Sequence, residues 1–177
     1  MSLGLKNNEI RLVEYSPKWK DEFETTKNLI LNYTHIPENR IEHIGSTSII
    51  GMSAKPIVDI VIGIGDLDNV EKDLFQGLEK AGFLRLKVDR PNEIVLAKFL
   101  DDSYKVKTHF IHLVEYKGDL WHDLIFFRDY LNSNREAREE YLDVKNKYLS
   151  NASKDIIEYT NYKEEFVKEI YKKRKDF

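Results

Sequence analysis

Apolar residues recur in two rhythms along this chain, and the change between them divides it. Residues 1–116 carry short alternating or continuous apolar runs, whereas residues 117–177 carry apolar positions three and four apart. Residues 9–15 predict a short strand. Ser16 and Pro17 then predict a helix start, with Ser16 as N-cap and Pro17 in the first helical position. Trp19, Phe23, Ile30 and Tyr33 form the apolar stripe of that helix, and Pro37 follows its end. Residues 40–44 predict a second short strand, and residues 45–54, rich in Gly, Ser and Thr, a loop. Residues 56–64 are nearly all β-branched, the pattern of a central strand covered on both faces. Residues 67–80 predict an amphipathic helix closed by Gly82. Residues 83–88, 93–100 and 104–115 predict antiparallel strands, with a turn at 101–103 between the last two.

Helices fill the remainder. Ala137, Tyr141, Val144 and Tyr148 make one stripe; Ile156, Tyr159, Lys163, Phe166 and Ile170 make another, with Ser153 as the N-cap between them. The expectation is an α+β fold in a single domain spanning 1–177. A mixed β-sheet core (1–116) is flanked by helices, and an antiparallel helical hairpin within 117–177 packs beside it.

Composition narrows the functional classes. A chain of 177 residues, 41% hydrophobic, can bury a core without staples. It has no cysteine, which excludes a thiolate nucleophile and a thiolate zinc site. The net charge of -3 argues against nucleic-acid binding through excess positive charge, leaving a local basic groove open. Residues 1–9 contain no apolar stretch of the secretory type, and no run approaches the ~20 apolar residues of a membrane span. A soluble, cytoplasmic protein without membrane partners is expected. No feature fixes an oligomeric state.

The segment with chemistry runs from Glu42-His43-Ile44-Gly45-Ser46-Thr47-Ser48 to Ala54-Lys55-Pro56-Ile57-Val58-Asp59-Ile60. Gly45, lacking a Cβ, lets the backbone approach a ligand. Ser46, Thr47 and Ser48 offer hydroxyls and backbone N–H groups of the kind a phosphate wants at short range. Asp59 interrupts an apolar strand, so it needs a metal ion or a basic side chain as partner.

This segment is similar to the signature of the GrpB family, Glu-His-Ile-Gly-Ser-Thr-Ser followed by Ala-Lys-Pro-Ile-x-Asp. His109-Phe110-Ile111-His112, Phe127-Arg128-Asp129-Tyr130-Leu131, Tyr141 with Lys145, and Tyr159-Thr160 with Lys163 extend the resemblance over nearly the whole chain. It implies a nucleotidyltransferase-like fold, in which Gly-Ser holds nucleotide phosphates while paired carboxylates hold two divalent metals. Some members of the family are joined to dephospho-coenzyme A kinase, which adds coenzyme A-related compounds to the implied small-molecule ligands. One departure is visible. The partner of Asp59 on the same strand face is position 61, which is Val61. On the strand expected to bring the third ligand stands His112, with Glu115 on the opposite face by parity.

Two readings follow. In the first, the protein is a metal-dependent nucleotidyl or phosphoryl transferase. Gly45, Ser46, Thr47, Ser48, Lys55 and Arg128 bind the nucleotide, Asp59 and His112 hold Mg²⁺ or Mn²⁺, and His43 orients the loop or a substrate hydroxyl. In the second it is a non-catalytic nucleotide-binding or regulatory module on the same fold, which Val61 favours. The plain alternatives are an Asp59 paired with a base, framework roles for His43, His109 and His112, an Arg128–Asp129 ion pair, and solvated Lys145 and Lys163.

Overall fold

The computed structural model describes residues 3–6, 9, 11–150 and 156–175, with side chains outside 148–162. The strands are β1 (Leu5–Lys6), β2 (Ile41–Ile44), β3 (Val58–Ile64), β4 (Phe83–Arg85), β5 (Ile94–Phe99) and β6 (Val106–Glu115). The helices are α1 (Lys18–Tyr33), α2 (Lys72–Lys80), α3 (Asp119–Ser133), α4 (Arg135–Ser150) and α5 (Ile156–Lys175). Among the described residues the strands form one sheet in the order β2-β3-β6-β5-β4, with β1 pairing β6. Only β3 and β6 run parallel; the other pairs are antiparallel. The sheet is therefore mixed, and the β-branched strand β3 lies inside it, as its sequence predicts.

Each face is covered by helices chosen by apolar stripes. Trp19, Phe23 and Ile30 of α1 and Leu78 of α2 pack on Ile60, Ile62, Ile111 and Leu113. On the other face Ile44, Val61 and Val114 meet Trp121 of α3. A third cluster joins Ile49 and Met52 of the loop after β2 to Phe127 and Leu131 of α3, Tyr141 of α4, and Phe166 and Ile170 of α5. Ile49 and Met52 are fully buried, each contributing about 1.5–3 kcal/mol that roots the loop under the C-terminal helices. Tyr141 stacks on Phe166 with ring centroids 5.0 Å apart, and α3, α4 and α5 each pack against the other two. The C-terminal part is thus a three-helix unit rather than a simple pair.

Several expected boundaries shift. Among the described residues of 9–15, only Val13 pairs, in a single bridge to Ala54. Helix α1 begins at Lys18, one residue after Pro17, and Tyr33 at its end is 47% exposed rather than part of the stripe. Helix α2 starts at Lys72, not 67, because the Asp66 carboxylate accepts the backbone N–H groups of Asp68 and Asn69 in a local turn. Ser153 lies outside the described residues, as do the side chains of Tyr148, Ile156, Tyr159 and Thr160.

Candidate functional site

A cleft of about 540 Å³ lies between the sheet and the C-terminal helices. Register explains which side chains it receives. Asp59 stands opposite Phe110 and Val61 opposite His112 across the parallel β3–β6 pair, while Val95 of β5 stands opposite His112. Asp59, Val61, Phe110, His112 and Val95 therefore share one face. Val61 is fully buried under α3, so the position of a second carboxylate on β3 is occupied by core.

Asp59 and His112 meet as the same-face reading requires: Nε2 of His112 lies 3.7 Å from Oδ1 of Asp59. The other ring nitrogen, Nδ1, lies 2.6 Å from Oε2 of Glu93, just before β5. His112 thus bridges two carboxylates. Burial alone would pull its pKa down, but the nearby Asp59 carboxylate and the hydrogen bond and charge of Glu93 outweigh burial and raise it to about 9. Glu93 is a site residue that sequence reasoning did not single out. Its parity with Val95 was readable, but the register linking β5 to His112 was not. Glu115 pairs with Ile64 at the end of β6.

The Gly-Ser loop closes on Asp59. Gly45 has φ +69° and ψ -171°, and a Cβ there would sit 2.5 Å from Oδ2 of Asp59. Both the backbone region and the contact demand glycine. Gly45→Ala is expected to destabilise the fold by about 1–3 kcal/mol from backbone strain alone, with the steric overlap added. Adding Asp59→Ala, which removes the nearest clashing atom, should restore part of the loss. Urea unfolding of the single and double variants measures both; strict additivity of the two changes would show that the contact carries no energy.

Ser46 faces the cleft, while its neighbours serve the loop. Ser48 Oγ donates to Gly45 O at 2.6 Å, and Thr47 is buried with its Oγ1 2.9 Å from Nε2 of His43. These two hydroxyls are spent on loop shape and are not directed at a ligand. His43 meets the loop rather than the cleft. Ile44 pairs with Asp59 and His43 with Ile60, so His43 points to the opposite face, stacked on Phe23 at 4.9 Å. Burial lowers its pKa to about 4, and it acts as a neutral support for the loop. His109, two residues along from Ile111 on that same face, has Nε2 3.3 Å from Thr26 Oγ1 and 3.3 Å from a Glu22 carboxylate oxygen. Burial first, and the charge of Lys98 second, lower its pKa to about 4 as well, against the pull of Asp59.

Arg128 is also diverted. Its guanidinium donates to Glu42 at 2.7 Å, to His43 O at 3.0 Å and to Asp129 at 2.7 Å, clamping α3 to β2. Asn132, one turn on, accepts from Ile50 N and donates to Ser48 O, pinning the loop to α3.

The cations lining the cleft are instead Lys55, Lys145 and Lys163, together with Arg90 and Lys107. Lys145 is 3% exposed, contrary to a solvated placement. Its Nζ donates to Ser46 Oγ at 2.8 Å and Ser53 O at 3.0 Å, and lies 4.4 Å from the Tyr141 ring centroid. Burial first, and repulsion from Lys163 second, lower its pKa to about 7 against the pull of Asp59. The same two causes lower Lys55 from the ordinary lysine range. Among the described residues no group of three or more His, Asp or Glu side chains is arranged to hold a metal ion, and no helix is long and apolar enough to cross a membrane.

Comparison with known proteins fits this architecture. The model of the family described as GrpB protein matches residues 9–173. The Glutamate-rich protein GrpB of Alkalihalophilus pseudofirmus is 40% identical over 169 residues, 95% of this chain and 97% of that protein. The crystal structure of GrpB from Enterococcus faecalis superposes with a TM-score of 0.74 at 26% identity, covering 93% of this chain and 99% of that one. A Cid1 poly(U) polymerase bound to MgATP shares the fold at a TM-score of 0.54 and 12% identity, over 80% of this chain and 46% of that one. The fold is thus nucleotidyltransferase-like, and the chain belongs to the GrpB family.

Proposed function

We propose that the cleft binds the polyphosphate of a nucleotide or a coenzyme A-related compound, together with one divalent ion, Mg²⁺ or Mn²⁺. The observation that carries this reading is the convergence of Ser46, Lys55, Lys145 and Lys163 beside Asp59 in a single cleft. Three lysine side chains around one carboxylate, with Lys145 able to take up a proton as an anion arrives, favour an anion with several charges. The preorganised donors cost little to align when it arrives.

The donor set fits one ion better than two. Mg²⁺ is commonly held by one or two carboxylates plus substrate phosphates. Asp59 would supply the carboxylate, and His112 a second ligand once Nε2 gives up its proton. Glu93 on Nδ1 would then be the carboxylate that orients a ligating histidine. The ion would neutralise Asp59 toward the phosphates. Because His112 keeps its proton when nothing is bound, protein alone should hold the ion weakly. Phosphoryl or nucleotidyl transfer is the activity this arrangement supports.

A second reading has its own observation. The buried Val61 removes the second carboxylate that two-metal transfer uses, which favours a binding or regulatory module without turnover. Calorimetry of ATP and dephospho-coenzyme A, with and without Mg²⁺, tests the shared part. Ser46→Ala should weaken ATP binding about 5- to 10-fold, the value of roughly one hydrogen bond. Equal affinity of Ser46→Ala and wild type would remove Ser46 from the phosphate site. Release from ATP, in the presence of an acceptor, of pyrophosphate (nucleotidyl transfer) or of ADP (phosphoryl transfer) separates enzyme from module.

A further inference from the structure

Ser46 and Lys145 stand in an arrangement that phosphate binding by itself does not call for. Lys145 Nζ lies 2.8 Å from Ser46 Oγ and 3.0 Å from the carbonyl oxygen of Ser53. A hydroxyl within hydrogen-bond reach of an amine, with a third group fixing that amine, is the arrangement of a nucleophile, its base and the base's anchor. Both side chains line the cleft, so a ligand held there meets the hydroxyl and the amine together.

The surroundings suit the amine to that part. Lys145 is 3% exposed, and Nζ contacts two neutral oxygens and the face of the Tyr141 ring. An ammonium so placed is costly to keep charged. Burial first, and Lys163 of α5 second, hold its pKa to about 7, against the pull of Asp59 on β3. A neutral Nζ has a lone pair for the Ser46 proton and keeps an N–H for Ser53 O. The fold also leaves a task open. In two-metal transfer an ion activates the attacking oxygen. Here the buried Val61 fills the place of the second carboxylate, so activating an attacking oxygen falls to a side chain.

We propose that Ser46 is a nucleophile, with Lys145 as its base, and that it takes the terminal phosphoryl group of a nucleoside triphosphate to form a phosphoserine. The substrate rests on the nucleotide reading; the pair itself does not. Ser46 Oγ attacks the γ-phosphorus, and its proton passes to Lys145 Nζ. The bond from that phosphorus to the β–γ bridging oxygen breaks, and ADP leaves with the electron pair. The proton that Lys145 gains as the phosphate arrives is thus the one Ser46 gives up. Lys55 and Lys163 remain to hold the phosphates. In the second step an acceptor hydroxyl or water attacks the phosphoserine. Lys145 returns its proton to Ser46 Oγ, and the acceptor's proton passes to solvent.

The test uses the whole chain and two probes. One is ATP with Mg²⁺, labelled in turn at the γ- and the α-phosphate. The other is a fluorophosphonate, which reacts with activated serines and carries no nucleotide. After acid quench in a single turnover, peptide mapping should find γ-label on Ser46 and no α-label. The fluorophosphonate should modify Ser46 with loss of fluoride. Ser46→Ala should abolish both modifications. Lys145→Arg keeps a cation and removes the base, so it should bind Mg-ATP yet slow both modifications by about 100-fold or more. Should that variant fail to fold, the wild type decides: fluorophosphonate labelling should rise with pH and level off above about pH 7, where Nζ is neutral. The inference is overturned if Mg-ATP binds and leaves no phosphate on Ser46, or if α-label is retained there. It is equally overturned if Lys145→Arg reacts as fast as wild type, or if labelling climbs with hydroxide and reaches no plateau. If ATP fails to bind while the fluorophosphonate labels Ser46 in a Lys145-dependent way, the nucleophile and its base stand and the nucleotide reading falls.

Discussion

Asp59→Asn should abolish the effect of Mg²⁺ on nucleotide binding while leaving the fold intact. The argument starts from charge. Ser46 and its lysines attract phosphate, but Asp59 touches the Gly45 end of the same loop and repels it. A cation between phosphate and Asp59 turns repulsion into attraction, so wild-type affinity for ATP should rise steeply with Mg²⁺ and fall with EDTA. With asparagine the repulsion disappears along with the reason for the ion, and affinity should no longer respond to either. The fold should tolerate the change, because the Asp59 side chain is 30% exposed and its pair with His112 is long at 3.7 Å. A loss of stability within about 1 kcal/mol is expected. Calorimetry with matched thermal melts reads both. If ATP affinity is the same with Mg²⁺ and with EDTA in the wild type, Asp59 is the structural partner of His112 and no metal site exists there.

How far the sequence foretold this site depends on what kind of information each residue needed. Strand β3 was legible because a β-branched run buried on both faces has few other homes, and the pairing of Asp59 with His112 followed once β3 and β6 proved adjacent. Parity within one strand is readable, but parity between strands depends on register, and a slip of one residue exchanges the faces. That is why the face from which His43 reaches the loop was not legible, and why Glu93 escaped notice. The β5–β6 pair also shifts register between Lys98 and Phe99, which no alternation pattern could reveal. Lys145 carried a usable signal: it lies four residues after Tyr141, on the same helical stripe, so its burial was implied by the periodicity that placed Tyr141 in the core. Arg128 gave no such signal, since its partners Glu42 and His43 O lie more than eighty residues away in sequence.

The protein should lose stability sharply on acidification from pH 6.5 toward 4, through two buried histidines on the face opposite the cleft. His43 is enclosed by Phe23 and Thr47, with Asp59 and Arg128 as its charged neighbours. His109 lies between Thr26, Thr108 and Glu22, with Lys98, Asp59 and His43 acting on it. In each case burial is the largest cause and lowers the folded pKa to about 4 from an ordinary 6.5. The unfolded chain therefore takes up protons first as pH falls. The stability contributed by the neutral rings is complete above pH 6.5 and is lost progressively down to about pH 4. Each ring accounts for roughly 3 kcal/mol across that interval, an order-of-magnitude value that is large beside a typical folding free energy of about 5–15 kcal/mol. His112 does not blunt this limb. Its folded pKa is raised to about 9, so below pH 6.5 it is protonated in both states, and its contribution is lost only as pH rises toward 9. Urea unfolding between pH 7 and 4.5 should give a slope approaching two protons per molecule. His43→Gln and His109→Gln should each remove about one of them, at some cost in stability at pH 7. A limb that stays flat to pH 4.5, or one unchanged by both substitutions, would mean that these rings are reached by water and protonate in place.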